Sequence, residues 1–370
     1  MSTTSQIIDR IDSRRRALIS HLRPDYFWTK ALVDGSFTIS IPASVTPSMV
    51  TSIDYSLDDG ITWISTLNIE GEVVTITTPI IPAGRTVLWK GEAKRYASNY
   101  SSANASLLTG SSHHEIGGNI ASLLYGENFL NSQFSLPEGD CTFFSFFKNS
   151  KQLRNAGRLI LPAKSTKNRC YQSMFEGCSN LEAAPTILIE DSSGYYDLYG
   201  MFSNCTSLIK APELHIRKTS RGTCWSMFQG CTSLTTPPPE LPASTLAASA
   251  YYRMFYGCTK LASAPIIRAT TLDNSALYQM FYNCKSLAKA PELIARVLSS
   301  SCYSGLVQGC SALSYIKMMA TDISASGALS NWVKGVTASG TFVKNAAAEW
   351  ELEKGDSGIP ENYTTITVSE

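Results

Sequence analysis

The same eight letters return along this chain at nearly constant spacing. MFEGCSNL begins at Met174, MFSNCTSL at Met201, MFQGCTSL at Met227, MFYGCTKL at Met254 and MFYNCKSL at Met280. Two weaker copies bracket them, FFKNSKQL from Phe146 and LVQGCSAL from Leu306. The fifth letter falls at 150, 178, 205, 231, 258, 284 and 310, so the intervals are 26–28 residues. One unit of that size cannot bury its own apolar stripe. A chain with this period is therefore expected to stack unit on unit as a solenoid.

Three positions shape each unit. The residue before the fifth letter is Asn149, Gly177, Asn204, Gly230, Gly257, Asn283 or Gly309, and only glycine and asparagine occur there. These two residues best tolerate positive φ. The pattern predicts a short helix carrying Met and Phe that stops on a left-handed residue. The fifth letter is Cys178, Cys205, Cys231, Cys258, Cys284 and Cys310, with Ser150 in the first copy. Equivalent positions stack, so these cysteines are expected to form a ladder of small buried groups. Of the 10 cysteines none form a C-x-x-C pair, and the expectation is reduced structural thiols with no metal and no cofactor. Proline follows four residues after the repeat leucine, at Pro185, Pro212, Pro238, Pro265 and Pro291. Proline limits any strand there to a short one.

The consensus MF-x-[GN]-C-x-x-L-x-x-x-P resembles the BspA-like class of leucine-rich repeats, abundant in gut Bacteroidetes and their phages, crAss-like Bacteroides phages included. The resemblance covers about residues 141–320, with departures at Ser150 and at Lys317, which stands in the place of the last proline. Residues 329–345 and 355–368 are similar to the C-terminal cap of such arrays, with Trp332 and Trp350 expected to cover the open end. Residues 119–140 resemble the lead-in of phage-encoded relatives and are expected to cap the first repeat.

The N-terminal part reads differently. QIIDRIDSRRRALISHL, residues 6–22, has the apolar spacing of an amphipathic helix stopped by Pro24. Residues 35–93 alternate in β fashion, which predicts a small antiparallel β-sandwich. Inside it SLDDGITW, Ser56–Trp63, fits the Asp-box hairpin S-x-D-x-G-x-x-W, read here as a turn device. Residues 98–118 read as a polar serine-rich connector, with His113 and His114 exposed in it. The expected fold class is thus α+β. Its parts are an N-terminal helix (1–25), a β-sandwich (26–97), a connector and N-cap (98–140), about seven repeats (141–320) and a C-terminal cap (321–370).

Net charge of +1 gives no pull toward nucleic acid, and no run of 18 apolar residues suggests membrane insertion. Phosphate-loop, dinucleotide, zinc-protease and serine-hydrolase motifs are missing, so the expectation is a non-enzyme. The N-terminus lacks the basic-then-apolar order of a secretory signal. With the resemblance, this implies a bacteriophage virion protein, a fibre, spike or decoration component assembled in the host cytoplasm. Its expected partners are other virion proteins through the N-terminal region, further copies of itself, and a host surface protein or glycan. The alternative is a bacterial cell-surface adhesin. Tyr256 and Tyr282, at the variable third letter, are candidates for an exposed aromatic binding strip.

Overall fold

The computed structural model describes residues 25–45, 48–65, 73–132, 134–137 and 139–369. The amphipathic helix expected within residues 1–25 lies outside the described residues, apart from Asp25.

Among the described residues the N-terminal module holds eight strands: β1 (Phe27–Ala31), β2 (Phe37–Ile41), β3 (Val50–Ser56), β4 (Ile64–Ser65), β5 (Val74–Thr77), β6 (Thr86–Ala93), β7 (Leu107–Gly110) and β8 (His114–Asn119). β1 and β2 bury every second residue, so Phe27, Ala31, Phe37, Ile39 and Ile41 face one shared core. β2 lies between β5 and β7 in an antiparallel three-stranded sheet. The other sheet runs β8-β1-β6-β3-β4 and continues, through β8, into the solenoid.

That continuation corrects the reading of residues 98–118. The serine- and glycine-rich stretch is not a connector, because it supplies β7 and β8, one strand to each sheet. Its glycines are there for close approach: a Cβ on Gly117 would come within 2.1 Å of the Trp28 ring. Nor is His114 exposed. It is buried, donates from Nδ1 to the Ser112 carbonyl at 2.9 Å, and meets Phe37 edge-on. His113 is half-buried beside Arg154.

Beyond the module come two four-residue helices, α1 (Ser122–Tyr125) and α2 (Phe129–Ser132), and then the solenoid strands β9 (Leu153–Leu161) and β10 (Thr186–Ile187). β8, β9 and β10 pair in parallel. Later coils add only two-residue strands, β11 (Glu240–Leu241), β12 (Thr245–Leu246), β13 (Ile266–Ile267) and β14 (Thr271–Leu272). Three longer parallel strands close the array, β15 (Tyr315–Met318), β16 (Ser339–Asn345) and β17 (Asn362–Val368).

Between strands each coil makes the same turn segment, and it is not a helix. In the second coil Cys170, Gln172, Met174 and Glu176 donate their N–H groups to the carbonyl three residues back. The alternating Tyr171, Ser173, Phe175 and Gly177 donate instead to Asp197, Tyr199, Met201 and Ser203 of the next coil. An α-helix sends every N–H to its own fourth neighbour and has none left for an adjacent unit. Here half of them stitch coil to coil. The geometry needs a left-handed residue every fourth position, and the φ values are positive at residues 169, 173 and 177. The same triplet recurs at 141, 145, 149; 196, 200, 204; 222, 226, 230; 249, 253, 257; 275, 279, 283; 301, 305, 309; and 327, 331, 335.

Among the described residues there are therefore eight coils. The eighth, 327–335, replaces the repeat Met and Phe by Trp332 and Val333, so the repeated octet is not recognisable in it. The module caps the first coil: Tyr96, Leu108 and His114 donate N–H groups to Thr142, Phe146 and Gln152. At the far end the Trp332 indole donates to the Gly358 carbonyl at 2.8 Å, and that of Trp350 to Ala320 at 3.0 Å.

Inside the coils Met, Phe, Cys and Leu of every repeat are fully buried. Phe147, Phe175, Phe202, Phe228, Phe255 and Phe281 form a continuous stack with centroids 5.1–5.5 Å apart. Each ladder cysteine donates its thiol to a phenylalanine carbonyl of the preceding coil, from Cys178 to Phe147 at 3.0 Å through to Cys310 to Phe281 at 3.0 Å. The first coil has no predecessor, and among the described residues the buried Ser150 hydroxyl finds no partner. All ten cysteines are free and buried, and burial pushes the Cys178 thiol up to about 12.

Candidate functional site

The 24 left-handed positions are not filled at random. Third positions are all glycine or asparagine: Asn149, Gly177, Asn204, Gly230, Gly257, Asn283, Gly309 and Gly335. First and second positions are glycine, serine, asparagine or cysteine, with four exceptions: Arg169, Tyr196, Arg253 and Gln279. A long side chain in this region costs about 1 kcal/mol or more. Strained backbone concentrates at functional sites. Tyr196, Arg253 and Gln279 lie along one strip, and Arg169 stands at its end with its guanidinium over the Tyr196 ring.

The strip is built by residues just ahead of the repeat methionines. Tyr199, Trp225, Tyr252 and Tyr278 stand one position before the second left-handed residue of four successive coils. Stacking coils brings the rings together, with centroids 5.8 Å apart for Tyr199–Trp225, 4.2 Å for Trp225–Tyr252 and 4.6 Å for Tyr252–Tyr278. Tyr196 extends the row, 5.9 Å from Trp225. Tyr256 and Tyr282 form a second, shorter row four residues along, stacked nearly parallel at 4.6 Å and 2°. All these rings are half-buried.

Arg253 lies between the rows. Its guanidinium is 5.2 Å from the Tyr252 ring and 5.3 Å from Tyr256, and its Nε donates to Gln279 Oε1 at 2.7 Å. These contacts hold a cation over aromatic faces. The strip therefore offers ring edges, hydroxyls and a fixed positive charge over four coils. Within each row the faces are covered by neighbours, and the rows end where Ser304 and Gln308 follow Tyr278 and Tyr282. Tyr256 and Tyr282 were readable because they fall inside the repeated octet. The main row falls two letters before it, where tyrosine or tryptophan recurs at intervals of 26–27 residues.

Directly beneath Tyr196 sits Asp197, fully buried. Hydroxyls of Thr166 and Ser192 donate to its carboxyl, the latter at 2.6 Å. Burial outweighs these bonds and raises its pKa to about 7. The carboxyl is sealed from solvent and belongs to the wall behind the strip.

The Asp-box hairpin is a turn fastening. Ser56 Oγ accepts the Gly60 N–H at 2.7 Å and Asp58 accepts the Thr62 N–H at 2.9 Å. Bonds from the Thr62 N–H and hydroxyl, and then Ser56, bring the Asp58 pKa down to about 2. Trp63 packs against Tyr26 and under Lys90.

The chain is a repeat solenoid. No family model matches it, and neither does any curated protein. Among solved structures it is similar to a T. pallidum leucine-rich repeat protein, 15% identical, with 69% of this chain and 86% of that chain covered at a TM-score of 0.27.

Proposed function

We propose that this is a recognition protein without catalytic function, which presents the aromatic–arginine strip of its solenoid to a ligand and is attached through its N-terminal region. The observation that supports it is the placing of Arg169, Tyr196, Arg253 and Gln279 at strained positions that the rest of the array fills with small residues. Repeat solenoids offer long regular surfaces suited to extended partners.

The finer reading is a bacteriophage virion component, present in several copies, that docks on other virion proteins and faces a host surface protein or glycan. It rests on the resemblance of the repeat octet to phage-encoded BspA-like repeats. Multiple weak contacts by linked copies would raise avidity.

Separating the halves of the chain is not the test, because β8 and β9 pair and a cut at residue 118 would break a shared sheet. The informative variants keep the fold. Particles assembled with the full chain should carry it, and a chain lacking residues 1–24 should stay in the soluble fraction. Tyr252→Ala with Tyr278→Ala should assemble normally but lose attachment to host cells. Absence of the full chain from any particle would favour the cell-surface adhesin instead.

A further inference from the structure

A second feature lies where the module meets the first three coils. A cavity of about 300 Å³, at the small end of ligand-pocket sizes, opens between the 95–100 loop and the first left-handed residues of those coils. Its chemistry-bearing groups are Arg95, Tyr100, Asp140, Arg169, Tyr195 and Tyr196.

The cavity is built rather than incidental. Arg169 occupies a left-handed position, φ 57°, where five of the other coils have glycine or serine. Its guanidinium is gripped between two rings, 4.7 Å from Tyr100 and 4.8 Å from Tyr196, and donates to Gln172 Oε1 at 2.8 Å. Asn168 ties the floor together, donating to Asp140 Oδ2 at 3.1 Å and accepting the Tyr195 N–H at 2.7 Å. Two rings at the rim stand in water, Tyr100 at 68% and Tyr195 at 57% exposure. Among the described residues Arg95 has no ion pair or side-chain hydrogen bond, and Asp140 Oδ1 has no donor.

We infer that this cavity binds a saccharide bearing a carboxylate, such as a hexuronic acid unit. Aromatic faces at the rim suit the C–H face of a sugar ring. Planar groups such as Arg95 pair with a carboxylate through two parallel N–H bonds. Asp140 decides between anions: its negative charge repels a dianionic phosphate, yet its free oxygen accepts from a sugar hydroxyl. A monoanion that also carries hydroxyls satisfies both groups. The cavity adjoins the Tyr196 end of the strip, so this inference rests on the recognition reading and names the chemical class that one end of the strip receives.

The test uses the full chain and ligand-observed NMR with three probes: methyl glucuronide, methyl glucoside and acetate. Methyl glucuronide should bind, with the glucoside and acetate each weaker by at least about tenfold. Arg95→Gln should weaken the glucuronide by about tenfold or more without moving the thermal melt, and Arg268→Gln, in an exposed ion pair with Glu240 away from cavity and strip, should leave glucuronide binding unchanged. Equal binding of glucoside and glucuronide would overturn the carboxylate claim, and acetate matching glucuronide would reduce the site to a simple anion pocket. Glucuronide binding lost in Tyr278→Ala but kept in Arg95→Gln would move the ligand to the strip and sink this inference alone. No binding of any probe would also overturn it, while host-cell attachment by the strip would still stand or fall on its own experiment.

Discussion

The inner and outer sides of one turn segment follow opposite rules. Inward, every coil from the second to the sixth repeats Met, Phe, Cys and Leu, and the phenylalanine rings stack at 5.1–5.5 Å. Outward, the residue before the second left-handed position changes from Gln172 to Tyr199, Trp225, Tyr252, Tyr278 and Ser304. Both sides are read by the same 26–28-residue period. What repeats strictly is what each coil needs from its neighbours in order to close a core. What varies is free of that need, and its local concentration of rings and arginines marks where selection by a ligand would act.

The sharpest way to break this contrast is to truncate one ring on each side. Phe228→Ala removes a fully buried ring from the stack and should cost about 3–5 kcal/mol. Tyr252→Ala removes a half-buried ring and should cost only about 1 kcal/mol. Denaturant melts of both variants decide it. Comparable losses would mean that the outer row is structural.

A pH titration sharpens the same contrast behind the strip. Asp197 holds its proton up to about pH 7 in the folded chain, well above the ordinary carboxylate range. The folded state therefore binds a proton that the unfolded state releases, so stability from this group is greatest near pH 4 and is lost as pH rises toward 7. The protein should melt higher at pH 5 than at pH 8, by about 1–3 kcal/mol of stability, and Asp197→Asn should flatten that slope. A wild-type melt that climbs between pH 5 and 8, with the Asn variant parallel to it, would refute the buried acid.

Much of this architecture was legible in the sequence, and the misses have definite causes. The period alone gives the solenoid, and the proline spacing gives strands only two residues long after the repeat leucines. The helix was misread because a Gly/Asn stop looks the same whether one left-handed residue ends a helix or every fourth residue is left-handed. Ser145, Ser173 and Ser226 carry φ of 57°, 55° and 54°, and serine gives no hint of that. β8 was missed because HEIGGN carries its strand through glycines that admit Trp28. The strip was half visible, since the repeated octet contains Tyr256 and Tyr282 but excludes Tyr252, Arg253 and Tyr278.

Third-position residues show a rule that no single repeat reveals. Asparagine is never followed by asparagine in the next coil: Asn149, Asn204 and Asn283 precede Gly177, Gly230 and Gly309. The reason is spatial, because a Cβ on Gly177 would lie 2.2 Å from Asn149 Oδ1, whereas one on Gly257 would meet nothing closer than 4.0 Å. Gly177→Ala should therefore cost about 1–3 kcal/mol, more than Gly257→Ala, where strain of about 1 kcal/mol acts alone. Adding Asn149→Gly should bring the two to the same value. If it leaves the gap open, the side-chain collision is not its cause.

The smallest expected effect is the most direct test of whether the outer side gives up stability for function. Arg253 sits at φ 53°, where a long side chain is strained by about 1 kcal/mol. It gains cation–π contacts with Tyr252 and Tyr256, together about 0.5–1 kcal/mol at such sites. These terms oppose each other in Arg253→Gly: the glycine relieves strain but leaves the two rows without their cation. Glycine also adds freedom to the unfolded chain, roughly 0.5–1 kcal/mol against folding. The net change should stay within about 1 kcal/mol of zero, while attachment through the strip is lost. Gly305→Arg, the reverse change one coil beyond Gln279, has strain and a Cβ 2.8 Å from the Gln279 side chain with no ring pair to receive the charge. It should be clearly destabilising. If Arg253→Gly costs as much as Phe228→Ala, the arginine belongs to the framework and the strip loses its claim to be a site.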